Sequence, residues 1–437
     1  MAVAPSRVIA RKTLTDVRSR RSYVSQALSR VLRDGDYHAQ DIGYGTRLAH
    51  LSVGTCRAVR EILDLYLPNA ADLAPIALDA LVVSATELLY LNAPAHIVDQ
   101  GVALMKKTNY GLAGLANAVL RQIATQRDDI RATNLAFEFG FPPWLAEQLV
   151  GEYGEDVARE VMSVSNEEAP IFGYVLSVAP DDWAEQLTKA GAQITPMGEQ
   201  TIMIEHMRLI REHPLITSRM ILVTDLGAQI ALSLAPIGAR MLEIGCGRGT
   251  KSLMWADRAR RAQEDTTLVG VDNNVRKIER AQGEAHALGF DEIIYRVADA
   301  TDAKSLGDEL YDVVFVDAPC SGLGTLRRHS DKRMTLEPGD ITQLRDLSAR
   351  ILHTSARSVA KGGILLYATC TISRRENDAV VLGFLASEQG TGFHLDRIRA
   401  NELPPMIAEA KTHEGLVQML PRSGGGDGHF IARLVRE

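Results

Sequence analysis

Cysteine is scarce in this chain. Four of its 437 residues are cysteine (Cys56, Cys246, Cys320 and Cys370), and no two form a Cys-x-x-Cys pair. That excludes a disulfide framework and fits reduced thiols in a cytoplasmic protein. No apolar run reaches the length of a membrane span, and Met1 leads through Pro5-Ser6-Arg7 into a charged helix rather than a signal peptide. No membrane partner is expected. Positive charge is not in excess either. The net charge of −7 does not advertise a nucleic-acid binder, although a local basic face can coexist with it. Internal repeats and low-complexity tracts are absent. What is present, 46% apolar residues, is enough for two or three ordinary cores.

Residues 1–128 read as an all-helical bundle. Apolar positions recur with helical period in Val8–Leu32, Ile42–Leu67, Ile76–Leu91 and Leu112–Ile123, with breaks at Gly35, Pro68 and Pro94. The first helix carries Arg7, Arg11, Lys12, Arg18, Arg20, Arg21, Arg30 and Arg33 against Asp16 alone before Asp34. Such a face is either solvated or phosphate-contacting. From about Gln126 to Gly140 the pattern loosens into a linker. New helices begin at Phe141-Pro142-Pro143-Trp144 and run through Val164. Strand-like pieces then follow at Ile171–Val178, Ala192–Thr195 and Thr201–Ile204, around one helix with apolar Trp183, Leu187 and Ala190. Residues 129–232 therefore read as a linker and a small α+β subdomain.

Residues 233–437 alternate strand and helix, which predicts a doubly wound α/β domain. Its strands are Arg240–Ile244, Thr267–Val271, Ile293–Val297, Tyr311–Val316 and Gly363–Tyr367; a last strand, His429–Val435, follows a Gly424-Gly425-Gly426 turn. Two of these strands end in cysteine motifs. Tyr311–Val316 runs into Asp317-Ala318-Pro319-Cys320-Ser321-Gly322, and Gly363–Tyr367 into Ala368-Thr369-Cys370-Thr371. A helix-period crossover from about Pro338 to Ala360 joins them as a βαβ unit. Reactive groups in open α/β sheets sit beyond the carboxyl ends of the strands. Asp317, Cys320 and Cys370 are thereby expected along one edge.

The first strand opens a helix through Glu243-Ile244-Gly245-Cys246-Gly247-Arg248-Gly249-Thr250-Lys251, a loop whose glycines let backbone approach a ligand. The second strand ends at Asp272, where a carboxylate suits the hydroxyls of a ribose. The third ends at Asp299, which suits an adenine amino group. Acids on the next two strand ends favour S-adenosylmethionine over a dinucleotide, because the second half that a dinucleotide needs is taken up by the cysteine motifs.

These residues resemble the Sun-type, RsmB-like RNA cytosine-5 methyltransferases over nearly the whole chain. The resemblance rests on the Asp317–Gly322 motif, running on to Arg327-Arg328-His329, and on Tyr367-Ala368-Thr369-Cys370-Thr371. The N-terminal bundle is similar to the NusB-like RNA-binding domain that accompanies the family, including Asn117-Ala118-Val119-Leu120-Arg121, and the tail Asp427-Gly428-His429-Phe430 resembles its last motif. Three elements depart from the family pattern. The cofactor loop replaces Asp-x-Cys-Ala-Ala-Pro-Gly-Gly-Lys but keeps its lysine, an Arg-Val-Asn element is Gly173-Tyr174-Val175, and a Gln-Asp element is Thr224-Asp225.

The resemblance implies S-adenosylmethionine-dependent methylation of carbon 5 of a cytosine in RNA, with 16S ribosomal RNA the expected substrate and a monomer the expected state. The residues alone do not order the two thiols; the resemblance makes Cys370 the nucleophile and Cys320 the group that assists release, with Asp317 on the base edge. Expected to bind the cofactor are Glu243, Gly245, Cys246, Gly247, Arg248, Gly249, Thr250 and Lys251, with Asp272, Asp299 and Asp317. No metal is expected. Arg327, Arg328, Lys332 and Arg333 are candidate phosphate contacts, and Lys251, Arg327 and Arg374 are candidate cations for a thiolate. Two other readings stay open: methylation of transfer RNA or a protein side chain, and a non-catalytic ribosome-assembly factor on the same scaffold.

Overall fold

A computed structural model describes residues 3–68, 70–91, 94, 97–399, 402–403, 411–413 and 415–437. By contacts the chain divides into two units, Met1–Glu168 with Leu326–Pro338, and Ala169–Thr325 with Gly339–Glu437.

The first unit is helical. Its helices are α1 (Pro5–Arg20), α2 (Val24–Arg33), α3 (Ala39–Gly54), α4 (Cys56–Tyr66) and α5 (Pro75–Tyr90). Then come α6 (Val98–Thr108), α7 (Ala113–Ala132), α8 (Leu135–Phe139), α9 (Pro143–Tyr153) and α10 (Glu155–Val164). Proline opens α1, α5 and α9, where its missing N–H costs nothing. Two runs that read as continuous are broken. Arg21 turns left-handed at φ 49° between α1 and α2, and Thr55 separates α3 from α4. The hydroxyl of Thr55 bonds back to the Leu51 carbonyl at 2.9 Å, competing with the helix ladder. Helix α6 was hidden by its mixed composition, and α7 continues past the apparent linker start at Gln126 to Ala132. Asn134 then caps α8 by accepting the Phe137 amide at 2.8 Å, and Phe141 is fully buried.

Some of the cations of the first helices are paired within the bundle. Arg7 is buried and donates to Glu87 at 2.7 Å, while Tyr44 donates to the same carboxylate. Arg18 grips the buried Asp79 through two bonds of 3.1 and 2.9 Å, joined there by Thr15. Arg30 holds Asp16 at 2.6 Å. A single row of phosphate-facing charge is therefore corrected: three of the eight cations tie the bundle together.

Leu326–Pro338 adds α17 (Asp331–Thr335) to this unit. Arg333 is 1% exposed, stacks 4.6 Å over Phe141 and donates to Asn166 at 2.9 Å. Burial pulls its guanidinium down to about 10. Asp331 accepts the Val24 amide, and Arg57 donates to the Met334 carbonyl and to Glu337. Arg333 and the likewise buried Arg327 are thus packing residues, not phosphate contacts.

The second unit begins with β1 (Phe172–Val175), α11 (Trp183–Lys189), β2 (Gln193–Pro196), β3 (Thr201–Glu205), α12 (Pro214–Thr217) and β4 (Ile221–Val223). They form an antiparallel sheet, β2-β3-β1-β4, over a core including Leu187, Ile202, Ile204 and Ile221. After α13 (Leu226–Ser233) the alternation runs β5 (Arg240–Ile244), α14 (Thr250–Arg261), β6 (Thr267–Asp272), α15 (Val275–Ala287), β7 (Ile293–Val297), α16 (Ala303–Leu306) and β8 (Tyr311–Asp317). It closes with α18 (Pro338–Ala356), β9 (Val359–Thr369), α19 (Asp378–Leu385), β10 (Phe393–Leu395), β11 (Lys411–His413), β12 (Leu416–Met419) and β13 (His429–Arg436).

The large sheet is ordered β11-β12-β13-β9-β8-β5-β6-β7, with β10 also on β13. Strands β9, β8, β5, β6 and β7 are parallel, and β13 joins β9 antiparallel. Side chains alternate between two cores: Val313 and Phe315 of β8 join one, Val314 and Val316 the other. Burial on both faces explains why these strands read as unbroken apolar runs. The winding reverses between β5 and β8, so the crevice for a ligand falls at their carboxyl ends.

Substituting Arg18 strands the Asp79 carboxylate in the bundle. Arg18→Ala is expected to lower unfolding free energy by about 3 kcal/mol or more, against about 0.5 kcal/mol or less for the exposed Arg20→Ala. Urea denaturation of the two variants checks this; equal losses would contradict it.

Candidate active site

Parallel pairing sets the two cysteine motifs side by side. Asp317 of β8 lies in register with Ala368 of β9, and the Ala318 amide continues the ladder to the Ala368 carbonyl at 2.9 Å. Three residues beyond Asp317 and two beyond Ala368, the Sγ atoms of Cys320 and Cys370 stand 3.4 Å apart. Both cysteines are half-buried.

Lys251, in the first turn of α14, reaches across the switch point and donates to Asp317 at 2.6 Å. Burial works against its ammonium, but the charges of Asp317, Glu243 and a Cys370 thiolate outweigh it and hold the proton on more firmly than usual. Of the three candidate cations for the thiolates, Lys251 is thus in electrostatic reach of Cys370. Arg374 is exposed.

The glycine loop is built for close approach. Gly245 sits at φ 80°, and a Cβ there would come within 2.6 Å of the Asp317 carbonyl oxygen. Asp272 closes the loop from the next strand, accepting the Gly247 amide at 3.1 Å and the Asn274 amide at 2.9 Å. Asn274, not Asp272, caps α15, and Asp302, not Asp299, caps α16. Asp299 is exposed, and its Oδ1 accepts both the amide and the hydroxyl of Thr301, which hold its carboxyl below the usual range. Cys246 is buried in the loop, and burial keeps its thiol protonated, pushed above its ordinary range. Glu243 lies beneath the loop, 1% exposed, with Ser252 donating to it. Arg248 reaches Glu284 at 3.1 Å.

Several groups at this site carry no sequence signal of their own. Arg219, left-handed at φ 62°, donates to the Arg248 carbonyl at 3.0 Å, to Thr250 at 2.6 Å and to Glu284, pinning the loop from the small sheet. Glu376 and Asn377 are buried among the cysteine motifs, although both sit in a run of polar residues, Arg374-Arg375-Glu376-Asn377-Asp378. Burial pushes the Glu376 carboxyl up, and the bonds it accepts from Ser321 and Thr371 oppose that. The tail motif backs the same loops. Gly428 donates to the Gly324 carbonyl at 2.9 Å, Gly324 to the Cys370 carbonyl at 3.1 Å, and a Cβ on Gly324 would lie 2.1 Å from the Gly428 oxygen. Asp225, from the altered Thr224-Asp225 element, caps α13 and accepts the Asp427 amide at 3.1 Å. In the other altered element, Tyr174 donates to the buried Asp257 of α14 at 3.2 Å.

Burial raises the Glu243 carboxyl to about 7, with the Ser252 bond opposing, from an ordinary 4.5. Between those values the unfolded chain has lost a proton that the folded chain keeps. Stability contributed by this group therefore falls as pH rises through that window and levels off above it. Glu243→Gln is expected to remove the slope, a difference on the order of 3 kcal/mol across it. Chemical denaturation of both proteins at each end of the window tests this; parallel curves would refute it.

Residues 231–435 match the family described as 16S rRNA methyltransferase RsmB/F, and residues 4–125 match the NusB family. A probable ribosomal RNA small subunit methyltransferase B from Bacillus subtilis is 25% identical over 99% of this chain and 98% of its own. The ribosomal RNA small subunit methyltransferase B of Thermus thermophilus is 29% identical over 94% and 92% respectively. Among solved structures, PH0851 shares the fold over 99% of both chains, with a TM-score of 0.77 at 18% identity. A methyltransferase homolog from Pyrococcus horikoshii gives a TM-score of 0.56 at 20% identity, over 69% of this chain and 98% of that one. The first match falls on the alternating strands and helices and the second on the N-terminal helices: residues 231–435 carry a methyltransferase domain matching the RsmB/F family, and a NusB-family domain lies ahead of it.

Proposed function

We propose that this chain methylates carbon 5 of a cytosine in small-subunit ribosomal RNA through a covalent cysteine adduct. The observation that carries the reading is the pair of thiols 3.4 Å apart at the ends of β8 and β9, beside the Lys251–Asp317 ion pair.

The family is S-adenosylmethionine-dependent, and the residues present suit that cofactor. Gly245 lets the loop pass close to the Asp317 carbonyl, and Asp272, with two amide bonds and Lys277 at 3.5 Å on a carboxylate with about four acceptor sites, stands at the loop. In this reading the loop from Gly245 to Lys251 holds the cofactor above Glu243, Asp272 takes the ribose and Asp299 the adenine amino group. When bound, S-adenosylmethionine supplies an electrophilic methyl group.

Carbon 5 of cytosine is a weak nucleophile until the ring's aromaticity is broken. Cys370 as thiolate forms a bond to carbon 6, and the displaced π electrons make carbon 5 nucleophilic. Asp317 bonds the base edge, and a proton passed through the Lys251–Asp317 pair to the ring nitrogen neutralises the charge gathered there and returns when the ring is restored. After carbon 5 is methylated it must lose its proton. Cys320 takes that proton as the carbon 6–sulfur bond breaks, which restores the ring and returns Cys370 as thiolate. The base must leave any stack to present both carbons, and an RNA loop presents it at least cost.

Cofactor affinity follows from the loop. Calorimetry is expected to show binding of S-adenosylmethionine and none of NAD, with Asp272→Ala weakening the former by ~1 kcal/mol or more. NAD binding in its place would overturn the assignment. The cysteine roles are read from a denaturing gel after incubation with 16S ribosomal RNA and labelled S-adenosylmethionine. Cys370→Ala is expected to give neither product nor adduct; Cys320→Ala should trap a labelled protein–RNA adduct. The reverse pattern would exchange the two roles, and full turnover by both variants would remove the thiols from the reaction.

A further inference from the structure

Glu376 is a carboxylate placed where solvent does not reach, and all of its side-chain bonds go to the residues that follow the two cysteines. Its Oε1 accepts the Ser321 amide at 2.7 Å, and its Oε2 accepts the hydroxyls of Ser321 (2.5 Å) and Thr371 (3.3 Å). Those hydroxyls lie 2.8 Å from each other. Tyr367 in turn fixes the Glu376 carbonyl at 2.6 Å.

Its own bonds favour one side: two to Ser321, at 2.7 and 2.5 Å, against one to Thr371 at 3.3 Å, although Ser348 also holds the Pro319 carbonyl at 2.6 Å. On the Cys370 side, Thr371 has other holds: Asn377 donates to its carbonyl at 3.0 Å, and Thr369 anchors Asn377 at 2.7 Å. Cys370 also follows directly on β9, which is paired on both edges. On the Cys320 side the chain has left β8, and the residue after the cysteine is held through both its amide and its hydroxyl by Glu376. A carboxylate accepting an N–H and an O–H from one residue fixes that residue's backbone as well as its side chain.

We infer that Glu376 is a positioning residue whose chief effect is on Cys320, keeping it within reach of Cys370 so that the adduct resolves. This rests on the cysteine roles proposed above. Removal of Glu376 should then look like removal of Cys320: attack proceeds, release fails, and adduct accumulates.

The full-length protein carrying Glu376→Ala, Glu376→Gln or Cys320→Ala is compared with the unaltered chain in two assays. The first is the denaturing gel with 16S ribosomal RNA and labelled S-adenosylmethionine. The second needs no RNA. Diamide takes two electrons and two protons from neighbouring thiols to leave a disulfide, and the rate of Cys320–Cys370 crosslinking reports how the sulfurs are placed. Glu376→Ala is expected to slow both crosslinking and turnover roughly 100-fold, as a displacement of about 1 Å does. It should trap adduct and leave S-adenosylmethionine affinity unchanged. Glu376→Gln, which keeps one acceptor oxygen, should lie between, and it carries the same readouts if the alanine variant does not fold. Crosslinking and turnover at the unaltered rate would overturn the inference, as would lost turnover with neither adduct nor slowed crosslinking. Absence of adduct from Cys320→Ala would instead count against the cysteine roles, and the crosslinking rate would still judge where Glu376 holds the thiols.

Discussion

The in-register pairing of β8 with β9 is the constraint on which the site depends. Strand side chains alternate, so a slip of one residue would turn Phe315 and Leu366 toward the wrong core and carry Asp317 past its partner. Because both faces of these strands are buried, the register has one acceptable value. The cysteines inherit that exactness at a distance of two or three residues, short enough for a few hydrogen bonds to finish the placement. Neither thiol needs a helix or a metal to hold it.

A second layer of order comes from carboxylates that point inward. Asp257 under the small sheet and Glu376 between the cysteine motifs are buried and bonded to groups from other stretches of the chain, and Glu243 beneath the glycine loop is buried with Ser252 donating to it. A buried charge is tolerated only with such partners. Each therefore acts as a joint that is costly to open. Asp225 does similar work for the altered Thr224-Asp225 element, whose aspartate meets the tail motif at the Asp427 amide. The departures from the family pattern are absorbed locally, with Arg219 bracing a loop that has lost the family's proline.

Much of this was legible from residue order alone. The parallel strands were visible because double-sided burial writes uninterrupted apolar runs, and the motif cysteines because turn residues bracket them. What was illegible has a common cause. Arg18, Arg333 and Glu376 are charged residues whose partners are far away in the chain, and a one-dimensional pattern assigns such residues to the surface. Helix α6 and the end of α7 were missed for a related reason: α6 mixes polar and apolar residues evenly around a glycine, the end of α7 is mostly polar, and packing against neighbours, not periodicity, makes them helical. Strand β4, three residues long, is too short to show any period.

The helical unit owns a piece of chain that is made late. Arg333, which fills the space over Phe141 and beside Asn166, is synthesised 165 or more residues after both of them. A ribosome that has just released Glu168 from its tunnel has exposed the ten helices without the part that completes their core. The helical unit is therefore complete only once the four parallel strands β5 to β8 and the Pro-Cys motif have also been made. Completion of the helical unit is in this way tied to the synthesis of the Pro-Cys loop.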